Sequence, residues 1–389
     1  MPLKRTLALL LTLSALMAMT SLSTDIYLPA MPVMERTLGG NAELTVTGFL
    51  IGFALAQLVW GSVSDRIGRK IPLFAGLGLF IVGSAGCALS QSMEAVVFWR
   101  VFQALGACVG PILSRAMIRD LYAGSQAAQM LSTLVIMMAV APIVGPLLGG
   151  AMLKFSSWHA IFWLLAVIGA VLLFAVFRLP ETLPADQRRH APLVQSFRQY
   201  AALLTNRRFM RYTLALTFFY MAAYAFIVGS PFVYIEFFGV PTEHYGWLFG
   251  VNIVGVVALS FANKSLVRRF SLGSLLSAAS LIALVFALGL AAVTYFNAGG
   301  LWAVVVLMLG VFSMNGIIAA SSTAAALDAV PPQSAGSASA LLGSLQYGSG
   351  IVSSLLLALF SDGTAWTMGW LIALFVGTSA LFASLGRKK

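Results

Sequence analysis

The sequence predicts an all-α membrane protein of about twelve transmembrane helices, arranged as two six-helix pseudo-repeats, and three observations carry that expectation. Of its 389 residues, 60% are hydrophobic and 9% are charged, with a mean hydropathy of +0.94. A soluble domain carries about 25% charge, so a water-soluble fold is excluded. Apolar runs of roughly 20 residues, each able to cross about 30 Å of hydrocarbon, recur from end to end. A single long polar segment interrupts them near the middle of the chain.

In chain order, the spans expected in the first half are Leu7–Leu28, Leu44–Ser64, Ile71–Ser90, Ala95–Met117, Met130–Leu153 and Ile161–Phe177. Lys4 and Arg5 ahead of the first run have the look of a signal peptide. That run is as long as its successors and no soluble sequence follows a cleavage point, so it reads as the first span. The second half gives Tyr212–Ile235, Tyr245–Ala262, Leu272–Tyr295, Leu301–Ala325, Ala335–Phe360 and Thr364–Ser384. Residues 1–178 then form one half, 179–210 a cytoplasmic linker and 211–389 the other half. Within the linker, Phe197–Leu204 has the pattern of an amphipathic helix on the inner membrane surface. The gap after the eighth span, Asn263 to Phe270, with Lys264, Arg268 and Arg269, is a weak echo of the gap after the second.

The formal charge of +11 is a topology signal, not a nucleic-acid one. Its bases cluster at Lys4 and Arg5, at Arg66, Arg69 and Lys70, at Arg115 and Arg119, along Arg178–Arg211, at Lys264–Arg269, and at Arg387, Lys388 and Lys389. These are alternate gaps. The opposite gaps hold Arg36 and Lys154 among Glu35, Glu43, Glu94, Glu236, Glu243 and Asp362, and the positive-inside rule puts both termini in the cytoplasm. Cys87 and Cys108 sit within apolar runs, without redox or metal spacing. His159, His190 and His244 are not at ligand spacing, so neither a metal nor a cofactor is expected and a membrane enzyme is disfavoured. The chain has no Walker-type phosphate loop, so direct ATP drive is disfavoured.

Gly61-Ser-Val-Ser-Asp65-Arg66-Ile-Gly68-Arg69-Lys70 puts an acid, three bases and two glycines into a short gap between two spans. Gly61 and Gly68 permit sharp turns, Asp65 can cap a helix N-terminus, and the bases can pair with acids or lipid phosphates. This stretch resembles the G-x-x-x-D-R-x-G-R-K signature between the second and third helices of the major facilitator superfamily. The resemblance implies a transporter, and a conformational latch in which the motif arginine pairs with a carboxylate ending the fourth span. Asp65, Arg69 and Asp120 take those roles here, with Gly61, Arg66 and Gly68 in the same loop.

Ala141-Pro142-Ile-Val-Gly145-Pro146-Leu-Leu-Gly149-Gly150 combines a helix-breaking proline with a flat small-residue face. It resembles the superfamily's G-x-x-x-G-P-x-x-G-G antiporter motif, with Ala141 in place of the first glycine. Arg100, in Arg100-Val-Phe-Gln103-Ala104-Leu-Gly106, resembles the R-x-x-Q-G motif linked to proton transfer, with Ala104 in place of a glycine. An arginine inside an apolar span needs a cavity and a partner. The partner expected is Asp25, about 27 Å up the first span, with Arg100 about 8 Å deep from the other side. The alternative is that the span ends near Ser23 and Asp25 is interfacial.

Other polar groups expected within the spans are Tyr27, Gln57, Tyr234, Asn252, Asn315 and Gln346, each an interhelical hydrogen bond or a substrate contact. Tyr220, Tyr224, Phe226, Phe232 and Trp247 are candidates to line a drug cavity. Tyr27, Gln57, Tyr224, Tyr234, Glu236 and Asn252 are taken as the substrate-binding set, and Glu236 as a second candidate for the proton.

Thr24-Asp25-Ile-Tyr27-Leu-Pro29-Ala-Met-Pro32, Ser157-Trp-His-Ala-Ile-Phe162, Pro180-Glu-Thr-Leu-Pro184 and Gly229-Ser-Pro-Phe-Val-Tyr-Ile-Glu236 together resemble the Bcr/CflA branch of twelve-helix drug:proton antiporters. The resemblance runs over essentially the whole chain. It implies a monomeric multi-pass exporter in the bacterial inner membrane, moving bicyclomycin, chloramphenicol-type phenicols or sulfonamides against protons, with lipid as its surroundings and no nucleic-acid partner. A carrier of an endogenous amino acid or sugar stays open beside it.

Overall fold

The computed structural model describes residues 3–188, 193–331 and 334–385. Arg189, His190, Arg387, Lys388 and Lys389, counted above among the topology charges, lie outside the described residues, as do the side chains of Lys4 and Arg5.

The chain forms two compact units, Met1–Ser196 and Phe197–Lys389. The first holds α1 (Leu3–Asp25), α2 (Met31–Leu38), α3 (Glu43–Ile67), α4 (Lys70–Leu89), α5 (Met93–Ala107), α6 (Val109–Leu121), α7 (Gly124–Met152) and α8 (Trp158–Phe177). After α9 (Leu193–Thr205), which crosses the boundary, the second holds α10 (Arg207–Pro231), α11 (Thr242–Leu266), α12 (Leu272–Tyr295), α13 (Gly300–Ser313), α14 (Asn315–Asp328), α15 (Ala335–Phe360) and α16 (Trp366–Ser384). Eleven helical stretches are long and apolar enough to cross a membrane, and Met138–Met152 adds a shorter apolar one. Large apolar side chains such as Val171, Val285 and Trp302 stay exposed, as a bilayer-facing surface requires.

Three stretches expected to be plain spans are interrupted. The first runs from Leu7 to Leu38, ten residues beyond the expected end, because it breaks and resumes. α1 stops at Asp25, a 3₁₀ turn covers Leu28–Ala30, and α2 starts at Met31. Pro29 and Pro32 supply no backbone N–H, so an unbroken hydrogen-bond ladder cannot pass through them. The fourth, Met93–Leu121, breaks at Cys108, three residues before Pro111. Pro111 leaves the Ala107 carbonyl without its i+4 donor, and Thr20 Oγ1 on α1 supplies one at 3.1 Å. Ser114 Oγ bonds to the Leu13 carbonyl at 3.1 Å two turns farther along the same α1–α6 seam. The tenth, Gly300–Asp328, breaks at Met314 between α13 and α14.

In the first unit α4 packs on α5 and α8, α3 on α5, and α1 on α6 and α7. In the second, α10 packs on α14, α15 and α16, while α12 packs on α13, α14 and α16.

Candidate functional site

The break that ends α1 places Asp25 inside the first unit, 5% exposed. α7 lies against α1 through the small-residue face of the antiporter motif. A Cβ added at Gly145 would stand 3.4 Å from the Asp25 Cβ and 3.3 Å from the Ile26 nitrogen. One added at Gly149 would collide with the Ile26 carbonyl oxygen. Pro146 and Gly150 are buried beside them.

Arg100 is fully buried, yet it and Asp25 do not form the ion pair expected of them. Its Nη1 donates to the Ser23 carbonyl at 2.9 Å and to Gln103 Oε1 at 2.6 Å, and its Nε to the Thr45 carbonyl at 3.4 Å. The rings of Tyr27 and Phe49 each lie 4.3 Å from its Cζ. These carbonyls and π-faces take the place of a carboxylate in holding the cation. Nη2 is buried without a partner. Gln103 continues the chain through its Nε2 to Ser84 Oγ at 2.7 Å. Ala104, where the motif has glycine, fits because α3 presents Gly52 opposite it.

At the end of α3 the helix runs through Gly61 to Ile67, so Gly61 makes no turn and faces open space. The turn is at Gly68, with φ +97°, a conformation glycine adopts without cost. Arg69 is the hub of the segment. Its Nη1 reaches Asp65 at 2.7 Å and Ser64 Oγ at 2.7 Å, and its Nε reaches Asp120 at 2.8 Å. Burial alone would lower the Arg69 pKa, but the hydrogen bonds it donates to Asp120 and Asp65 raise it. Asp65 therefore serves Arg69 and caps no helix. Arg66 forms no ion pair among the described residues. Lys70, expected to meet acids or lipid phosphates, donates to the Phe177 carbonyl at 3.2 Å and so caps the end of α8.

The acid at the start of α4 is Glu181, quoted above within Pro180–Pro184 but given no role there. Its carboxylate accepts from the backbone N–H groups of Arg69 at 2.9 Å and Lys70 at 3.1 Å, and from those of Thr182 and Leu183 at 2.9 and 3.0 Å. Partial burial pushes its pKa up, and the N–H groups of Arg69, Leu183, Lys70 and Thr182 outweigh it, holding the carboxyl below its ordinary value. Thr182 Oγ1 then donates to Asp120 at 2.9 Å. The only sequence signal for Glu181 and Thr182 is the Pro-Glu-Thr-Leu-Pro run, because their partners lie 112 and 62 residues away.

The remaining candidates are dispersed. Tyr27 bonds to Thr45 Oγ1 at 3.0 Å beside Arg100, and Gln57 accepts from Cys108 Sγ at 3.3 Å on the neighbouring helix. In the second unit Tyr234 and Asn252 have no exposed surface. Tyr234 packs edge-on to Phe226 and beside Tyr245, and Asn252 donates back to the Leu248 carbonyl at 3.1 Å. Glu236 is exposed in the wide turn of helix at Phe232–Phe237, and Tyr224 is buried with its ring 6.4 Å from that of Tyr220. Trp247, a cavity candidate, is 65% exposed.

Comparison with known proteins agrees with this architecture. The chain is 34% identical over 388 residues to an uncharacterized MFS-type transporter, YdgK, of Bacillus subtilis (97% of this chain, 96% of the relative). It is 30% identical over 386 residues to a bicyclomycin resistance protein homolog of Haemophilus influenzae (96% and 95%). Among solved structures, the nucleoside transporter NupG superposes with a TM-score of 0.77 at 15% identity, covering 96% of this chain and 98% of that one, which shows the shared fold. Residues 13–354 match the family profile described as Major Facilitator Superfamily, and the chain belongs to that family of membrane transporters.

Proposed function

We propose that the chain is a proton-coupled exporter of small drugs in the bacterial inner membrane, with both termini cytoplasmic, working by alternating access. The observation that carries this reading is Asp25: a carboxyl buried at a helix break, backed by Gly145 and Gly149 of the antiporter motif, two residues from a carbonyl gripped by Arg100. Intramembrane ionisable groups at interrupted helices are where carriers bind protons and coupling ions. In this reading a proton reaches Asp25 from outside and competes with drug. Drug loads from the cytoplasm once the proton has left inward. Exchange of a neutral drug for one proton draws on both the pH gradient and the potential, the latter about 2.3 kcal/mol per charge per 100 mV.

The cluster of Asp65, Arg69, Asp120 and Glu181 acts as the latch that stabilises one state. A relative whose printed name includes bicyclomycin resistance supports drugs over nutrients as substrates.

The test is growth inhibition of an efflux-deficient bacterial host expressing wild type or Asp25→Asn at matched membrane levels. The panel holds bicyclomycin, chloramphenicol, florfenicol and a sulfonamide. Resistance in the wild type that disappears in Asp25→Asn is expected. Resistance retained by the mutant moves the proton to another group, and no resistance in the wild type sinks drug export.

A further inference from the structure

From Phe197 on, α9 belongs to the second unit, and it carries more apolar surface than that unit covers. At about 100° per residue, Leu203, Tyr200, Leu204, Phe197 and Ala201 follow one another round the helix as a single arc about 160° wide. Tyr200 and Leu203, on one side of the arc, are buried. Leu204 and Phe197, on the other, are 51% and 52% exposed, and Ala201 beyond them is exposed as well.

The helix is tied to the second unit at two points. Gln199 Oε1 accepts from Ser337 Oγ, near the start of α15, at 2.5 Å, and Asn206 Nδ2 donates to the Ala329 carbonyl, just past α14, at 3.3 Å. Asn206 Oδ1 also accepts from the N–H groups of Arg208 and Phe209 at 3.1 and 3.0 Å, which caps α10. α10 opens the stretch Arg207–Phe237, long and apolar enough to cross a membrane, and Asn206 alone separates it from α9. α9 therefore lies where that span meets the bilayer surface. Arg198 borders the uncovered arc, Arg207 and Arg208 follow its end, and all three are exposed. Arg198 and Arg207 form no ion pair among the described residues. Arg208 meets Asp328 at 3.5 Å with both side chains largely in solvent, a pair that holds it weakly.

We propose that α9 docks on an anionic phospholipid surface, with Phe197, Ala201 and Leu204 seated at the acyl-chain boundary and Arg198, Arg207 and Arg208 on the headgroup phosphates. An apolar arc bordered by basic residues is the composition of a helix lying in the membrane interface, and long arginine stems let the charge reach the phosphates while the arc stays buried. Anionic headgroups then favour this helix over neutral ones through the three charges. Because Gln199 and Asn206 bind α9 to the ends of α15 and α14, the lipid surface holds those ends too. The inference goes beyond the export reading and shares with it only the linker's place at the inner face.

The experiment is fluorescence quenching of the purified full chain in phosphatidylcholine nanodiscs, with bimane on Leu204→Cys or, on the opposite flank of α9, on Ala202→Cys. Cys87 and Cys108 have no exposed surface and are out of reach of the label. Acyl-brominated lipid is expected to quench the label at 204 and aqueous iodide the label at 202. Brominated phosphatidylglycerol should quench at 204 about fivefold more effectively than brominated phosphatidylcholine. Replacing the three arginines by glutamine should remove that preference, and replacing them by lysine should keep it. Iodide quenching at 204 would show the arc open to water, and quenching there by neither agent would show it covered by protein; either overturns the docking. Equal quenching by the two lipids, or a preference that survives the glutamine variant, overturns the headgroup contacts. The assay contains no drug and no proton gradient, and both leaflets carry the same lipid, so failure of the export reading leaves its result standing.

Discussion

Asp25 and Gly145 stand back to back: a methyl group in place of the glycine hydrogen would lie 3.4 Å from the Asp25 Cβ. The proton-site candidate and the antiporter motif, 120 residues apart in sequence, thus share one contact. At Gly145 that methyl meets the Ile26 nitrogen at 3.3 Å, so α1 must give by a few tenths of an ångström, while 3.4 Å from the Asp25 Cβ is ordinary contact. At Gly149 it strikes the backbone oxygen of Ile26, which has nowhere to go. Gly149→Ala is therefore expected to destabilise the protein by about 1–3 kcal/mol and to lower its membrane level. Gly145→Ala should lower the level less than Gly149→Ala and change drug-dependent proton release. Melting of the solubilised variants and vesicle proton flux are the measurements, and equal melting temperatures would refute the distinction.

Arg69 is buried between two carboxylates, so removing either leaves a charge partly uncompensated. Asp120→Asn should destabilise more than Asp65→Asn, because the Asp65 side chain is 37% exposed and that of Asp120 15%. In a double-mutant cycle, Arg69→Gln and Asp120→Asn should couple by roughly 0.5–3 kcal/mol. Additive effects in thermal unfolding would show that the pair does not hold the cluster.

Glu181 carries a pH signature. Its carboxyl titrates lower in the folded chain than in the unfolded one, held down by backbone N–H groups. Its contribution is therefore present above the ordinary glutamate pKa of about 4.3 and lost as pH falls through the depressed folded value. Glu181→Gln should melt below wild type at neutral pH, and the gap should close on acidification. A gap that widened in acid would overturn the capping role.

Thr20 and Pro111 should be coupled through a carbonyl neither of them owns. Thr20→Val strands the Ala107 oxygen that Pro111 cannot serve. In a Pro111→Ala background the restored N–H takes over, and Thr20→Val should cost less. The expected coupling is about 0.6 kcal/mol, with about 1.7 as an upper bound for hydrogen bonds between membrane helices. Identical costs of Thr20→Val in both backgrounds would argue against the relay.

The spans were legible because apolar length and charge placement are local properties. The interruption at Asp25 is not legible: Pro29 and Pro32 leave open where the helix stops, and the return of the chain into helix through Leu38 does not show in a hydropathy run. Gly61 misled, since a glycine near a charged gap reads as a turn, while α3 carries on for six more residues before Gly68 turns the chain. Arg100 was marked by its charge in an apolar run. Which carbonyl and which rings hold it is not legible, because a carbonyl of Ser23 and the faces of Tyr27 and Phe49 have no sequence signature as cation ligands.

By itself the sequence determined a polytopic helical carrier, its charge topology and the three motif segments, since each follows from residue type and short spacing. Only the tertiary structure decided which groups meet. It set Gly149 against Ile26, gave Arg69 to Asp120, and brought Glu181 across 112 residues to the start of α4. The physical reason is that the partners of a buried polar group are fixed by which helices pack side by side, and inside apolar surroundings each group must satisfy whatever donor or acceptor that packing brings.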